Sequence, residues 1–168
     1  MLELGKPGTA GTPTGVAPVL RDGVVVAALA ASNWKDSATA RIGDREWVFS
    51  RHKGELTGRR AAEPEGSARV RARKVSSWKG TWTVELEGTR VEVESGSVWK
   101  GTHRFLSGGR QVAVSGSSGG WSPRPTLDAE PAIPLDHQVF LLWLELVIRR
   151  RNTAAMTAVT AGAVAGGS

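Results

Sequence analysis

Residues Leu135 to Arg151 read LDHQVFLLWLELVIRRR. Pro131 and Pro134 break the chain just before this stretch. Asp136 suits a helix N-terminus and Arg149 to Arg151 suit a C-terminus, each complementing the helix dipole. On a helical wheel Val139, Leu142, Trp143 and Leu146 form one side, and Phe140, Leu141, Leu144, Val147 and Ile148 cover the rest. A helix that is apolar all round belongs inside protein or in lipid. At 1.5 Å per residue, residues 135–148 reach about 21 Å, short of a bilayer's roughly 30 Å hydrocarbon core. Burial inside protein is therefore expected. A sheet with one apolar face covers only one side of such a helix, whereas a closed barrel covers all sides and removes exposed strand edges. Glu145 is the one charge within the apolar run. Its expected partner is Arg149, four residues on, in an ion pair at one barrel mouth.

The rest of the chain supplies the strands. The string WKGT occurs at Trp78 to Thr81 and again at Trp99 to Thr102. With Trp78 laid on Trp99, Gly88 falls on Gly109, Val91 on Val112 and Val93 on Val114, without a gap. Trp82, Val84 and Leu86 alternate with Thr83, Glu85 and Glu87, then Val91 and Val93 alternate with Glu92 and Glu94, around a glycine turn. That is the pattern of a β-hairpin. Weaker copies begin at Trp34, with a Gly43-Asp44 turn before Trp47 and Phe49, and at Leu56, with Gly66 before Val70 and Ala72. Trp34, Leu56, Trp78 and Trp99 read as apolar anchors of an antiparallel meander of about eight strands over residues 35–115. The expected fold is mainly β: an antiparallel β-barrel of hairpin repeats wrapped around a buried hydrophobic C-terminal helix. Residues 1–20 are expected to be a flexible leader, 21–151 the barrel with its helix at about 135–151, and 152–168 a disordered Ala/Gly-rich tail, despite GxxxG spacing at Gly162 and Gly166.

The chain has 168 residues, 22 basic and 16 acidic, for a formal charge of +6. This balance favours anionic partners such as lipid head groups, phosphate or nucleic acid. The arginine, alanine and glycine bias fits a high-GC bacterial genome. The absence of cysteine excludes disulfides and thiolate catalysis and fits a reducing cytoplasm. No secretory leader and no transmembrane span are expected.

The chemistry on offer is sparse. Gly116 to Gly120 matches G-x-S-x-G around Ser118, but Trp121-Ser122-Pro123-Arg124-Pro125 opposes the helix that a nucleophile elbow needs. His52, His103 and His137 are scattered without metal-ligand spacing, so no metal site is expected. No phosphate-cradling glycine loop is present, and no cofactor is expected. The best anion-site candidate is a basic stripe, in which Arg69, Arg71 and Arg73 project from one strand face, with Lys74 beside them and Arg59 and Arg60 across a loop. No exposed aromatic for base stacking is evident beside it, which disfavours single-strand nucleic-acid binding, and nucleic acid is not the expected partner. The same stripe also fits a merely solvated outer barrel face.

The stretches ATARIGDREWVFSR (38–51) and LTGR (56–59), the hairpin from Trp99 to Trp121 and the helix FLLWLELVIRRR (140–151) together resemble the tubby C-terminal superfamily. That superfamily includes LURP-one-related proteins and phospholipid scramblases. The resemblance implies a barrel threaded by an apolar helix, and a membrane-related role through basic residues that meet lipid head groups. The chain departs from scramblases in having no cysteine to palmitoylate and no acidic calcium loop. The expected function is a non-enzymatic domain that binds anionic membrane lipids through its basic face, cytoplasmic and peripheral to the inner membrane face. A protein-interaction module is the alternative, and a hydrolase assembled from distant residues is a more remote one.

Overall fold

A computed structural model describes residues 1–97 and 100–165. These residues form twelve strands and one helix. In chain order the strands are β1 (Leu2–Leu4), β2 (Ala17–Arg21), β3 (Val24–Ala31), β4 (Ala38–Ile42), β5 (Arg45–His52) and β6 (Glu55–Arg60). They continue with β7 (Val70–Ser76), β8 (Thr81–Leu86), β9 (Thr89–Ser97), β10 (Thr102–Ser107), β11 (Arg110–Ser118) and β12 (Arg124–Ala129), before helix α1 (Leu135–Ala165). Each strand pairs antiparallel with its sequence neighbours, and β1 closes the ring against β12 through Leu2↔Leu127 and Glu3↔Thr126.

Period-2 patterning accounts for the wall. In β8, Trp82, Val84 and Leu86 are buried, and in β9 Val91 and Val93 are buried opposite them. Small inward residues leave room for the helix: Ala38 and Ala40 on β4 and Ala72 on β7. Gly58, in the LTGR stretch, lies opposite Phe49. A Cβ there would stand 2.6 Å from Val70 Cγ2 and 3.0 Å from Phe49 Cδ1, so glycine is what this approach permits.

The helix runs through the barrel. Val139 to Leu144 cover every helical face and are all buried, as are Val147 and Ile148. Its polar partners lie on strands and loops right round the ring, from Arg21 of β2 to Gly116 of β11. Phe49 meets Phe140 edge-on at 5.3 Å and Trp143 at 5.2 Å, forming the aromatic centre of the core.

Several expectations change. The meander over residues 35–115 has the expected eight strands, β4 to β11, but the closed ring also takes in β1 to β3 before it and β12 after it. The N-terminal 20 residues are not a free leader: Leu2 and Leu4 are buried in β1, and β2 begins at Ala17. A barrel of this girth needs both strands to close. The helix does not stop at Arg151 but continues to Ala165. Alanine-rich chain extends a helix already nucleated inside the barrel, and Thr153, Thr157 and Thr160 each donate to the carbonyl four residues back. Gly166 lies outside the described residues. In the second repeat copy, Val112 is the extra residue of a bulge facing Phe105 and Leu106. The bulge shifts the alternation, so Ala113 and Ser115 are buried while Val114 is half-buried.

The largest change concerns the tryptophans. Leu56 is buried, as an anchor should be, but Trp34 and Trp78 are each 95% exposed. They are loop tips rather than core anchors. Trp99, the third indole read as an anchor, lies outside the described residues.

Candidate functional site

In an up-and-down barrel, alternate connections share an end. The helix enters at the end holding the turns at 22–23, 43–44, 61–69, 87–88 and 108–109. It leaves at the end holding connections 5–16, 32–37, 53–54, 77–80, 100–101 and 119–123. The helical arginines confirm the polarity: Arg150 donates to Ser32 O, Arg151 to Asp36, and Arg149 to Gly116 O and Ser117 Oγ.

At the entry end several charges are matched. Asp136 accepts from Arg45 Nε and Trp47 Nε1, both at 2.8 Å. It therefore anchors the helix start to β5 rather than only capping backbone. Burial pushes its carboxyl up, but the bonds from Arg45 and Trp47 outweigh this and hold it below the usual range. His137 pairs with Glu87 at 2.8 Å, and Arg110 pairs with Glu130.

The six stripe residues do not form one site. Arg60 turns inward, stacked 5.0 Å over Trp47 and 3.8 Å from Asp136. Arg69 is clamped between Glu63 and Glu87. Arg59 spends Nη1 on loop carbonyls, with Glu63 O at 2.8 Å. Arg59 and Arg71 line an outer-wall groove of about 590 Å³ that also contains Lys53, Glu55 and Glu65. Arg71 lies 3.8 Å from Glu55 there. Arg71 and Arg73 together border a smaller hollow between Glu55 and Glu85. Lys74 is exposed near the exit end.

The exit end is different. Trp34, Trp78 and Trp121 stand on three of its connections at 95%, 95% and 104% relative exposure. The chain's six lysines gather at the same end: Lys6, Lys35, Lys53, Lys79 and Lys100 lie on five of its six connections, and Lys74 lies on the adjoining strand. All six are exposed. Among the described residues none of them pairs with a carboxylate. The carboxylates nearby are already engaged, Asp36 by Arg151 and Glu3 by Arg124. The uncharged continuation of α1 emerges through this rim with Met156 and Val159 exposed.

Just inside the rim, Glu145 is fully buried between His103 Nδ1 at 2.8 Å and Arg149 Nε at 2.7 Å. The expected ion pair is present, but inside the barrel rather than at its lip. Burial pushes this carboxyl up, and the bonds and charges of His103 and Arg149 overcome it, leaving it below its ordinary 4.5. Arg149 thereby ties the helix to the β11 wall.

Ser118 ends β11 and is followed by a loop and then by strand β12, not by a helix. The elbow context is therefore absent. Among the described residues, no group of three or more His, Asp or Glu is placed to hold a metal ion. Among the described residues, no helix is long and apolar enough to cross a membrane.

The stripe hypothesis missed the lysine and tryptophan rim, although its signal was in the sequence. The Trp-Lys pair recurs at residues 34–35, 78–79 and 99–100. No family model matches the chain, and no curated protein or solved structure shows significant similarity to it.

Proposed function

We propose that the protein is a non-enzymatic, tubby-like membrane-docking domain that seats its exit end on an anionic lipid surface. The observation that carries this reading is the gathering of all six lysines and three fully exposed tryptophans on one barrel end. Exposed indoles are unfavourable in water and favourable at the head-group level of a bilayer, where the ring is buried and the N–H stays wet. Lysine near an anionic surface adds about 1 kcal/mol each, and unpaired lysines deliver this without first breaking a bond. The twelve-strand closed barrel around an apolar helix supports the comparison with the tubby superfamily. The outer arginine stripe contributes less, since Arg59, Arg69 and Arg71 are already engaged.

Vesicle sedimentation tests the reading. Binding is expected to rise with phosphatidylserine content and fall with salt. Replacing Trp34, Trp78 and Trp121 together by serine should weaken it at least tenfold without lowering the melting temperature. Arg71→Gln with Arg73→Gln should change it little. Binding indifferent to phosphatidylserine, or unaffected by loss of the indoles, overturns the proposal. A stable protein captured by the rim in the absence of vesicles would favour an interaction module.

A further inference from the structure

From Phe140 to Ile148, the apolar side chains of α1 are covered on every face but one. Leu146 alone is only half-buried. It faces a cavity of about 450 Å³ at the exit end, bounded by the start of the 5–16 connection, β3 and the start of β12. The floor is apolar: Leu4, Ala17, Leu29 and Ala31 join Leu146. The mouth is cationic, with Lys6, Arg124 and Arg150 on the lining. Arg150 uses Nη1 on Ser32 O and Arg124 uses Nη2 on Glu3. Arg124 Nε is buried and has no partner. A buried guanidinium nitrogen without an acceptor is unfavourable and calls for one.

We propose that this cavity takes one acyl chain of an anionic amphiphile, the tail lying along Leu146 and the acidic head group accepting from Arg124. The volume lies within the roughly 300–1,000 Å³ of small-molecule sites, and an apolar chamber with a few convergent polar groups is their usual composition. An uncharged tail satisfies the floor but not Arg124. A bare anion satisfies Arg124 but leaves the floor uncovered. Only a molecule with both parts meets both. The proposal rests on the docking reading for its lipid source, because the cavity opens at the end proposed to meet the membrane. The binding itself is separable.

Calorimetry with monomeric dodecyl phosphate, dodecyl maltoside and inorganic phosphate decides it. Dodecyl phosphate is expected to bind saturably, one per chain, at least tenfold tighter than the maltoside, with no measurable binding of inorganic phosphate. Leu146→Phe and Ala31→Leu, which fill the cavity from α1 and from β3, should each weaken dodecyl phosphate at least tenfold. Arg124→Gln should erase the preference over the maltoside. Absence of saturable binding to the wild-type chain, equal affinity for the two amphiphiles, or inorganic phosphate binding as tightly as dodecyl phosphate each overturns the proposal. Vesicle sedimentation separates the two readings. Leu146→Phe should still sediment with anionic vesicles, and the triple tryptophan variant should still bind dodecyl phosphate. Amphiphile binding without vesicle binding sinks the docking reading alone, and the reverse sinks the cavity alone.

Discussion

The two ends of the barrel treat charge in opposite ways. Where α1 enters, Arg45, Arg69 and Arg110 each meet a carboxylate, and Asp136 and Glu87 tie the helix to the wall. Where α1 leaves, the arginines are still engaged with protein but the lysines are not. The contrast follows the chemistry of the two cations. Arginine's planar fork suits fixed partners, while lysine is a compact, hydrated charge on a flexible stem. Arginine is used to build the barrel, and the lysines are left without a carboxylate partner among the described residues.

The comparison can be broken most severely through the helix that both ends share. Trp143 is 1% exposed and lies 5.2 Å from Phe49 and 5.8 Å from Phe140. Trp143→Ala is expected to cost about 3–5 kcal/mol. Chemical denaturation should show a single transition moved to lower denaturant, with both ends lost together. A midpoint close to wild type would mean that the barrel stands without its filling.

A smaller effect separates the ends. Glu145 and Asp136 both have carboxyls held below their ordinary values. For a depressed folded-state pKa, the stabilisation is complete above the unfolded value, near 4, and is lost as pH falls through the folded value. Melting temperature should therefore be level near neutrality and fall below about pH 4. Glu145→Gln keeps one acceptor oxygen but removes the buried negative charge that faces Arg149 and His103, and should cost about 3 kcal/mol at pH 7. Asp136→Asn keeps an acceptor for Arg45 and Trp47 and should cost about 1–2 kcal/mol. Both variants should flatten the acid limb of a melting-temperature profile. If Asp136→Asn proved the more damaging at pH 7, the entry end would be the stronger anchor.

Much of the architecture was legible because it rests on periodicity. Alternation of Trp82, Val84 and Leu86 with polar neighbours, and an apolar run without a polar face at 139–148, are local patterns with one economical solution. The eight strands of residues 35–115 were legible, but β1 was not, because Leu2-Glu3-Leu4 is too short to read as a strand until β12 is known to lie beside it. The rim was misread for a different reason. An indole at a regular spacing fits a core and a loop tip equally well until the register is set, and β8 takes Trp82 inside while leaving Trp78 in the connection before it. The arginine stripe was legible as a strand face, but its neutralisation was not, since Glu87 lies 18 residues from Arg69 in sequence.

The smallest expected effect lies beyond Arg151. Residues 152–162 are exposed and contribute no side chain to the core. Ending the chain at Arg151 should shift the denaturation midpoint by no more than about 0.5 kcal/mol, as expected for exposed positions. The cut leaves Arg149, Arg150 and Arg151 bound to the wall. Its effect on docking is more informative than its effect on stability. The segment is uncharged and rises from the middle of the tryptophan ring, so a membrane seated on the rim must accommodate it. At 1.5 Å per residue its 14 helical residues, 152–165, reach about 21 Å. If it enters the bilayer, the truncated chain should sediment more weakly with vesicles while melting as before. If sedimentation improves instead, the segment holds the rim away from the surface, and the tryptophans and lysines alone make the contact.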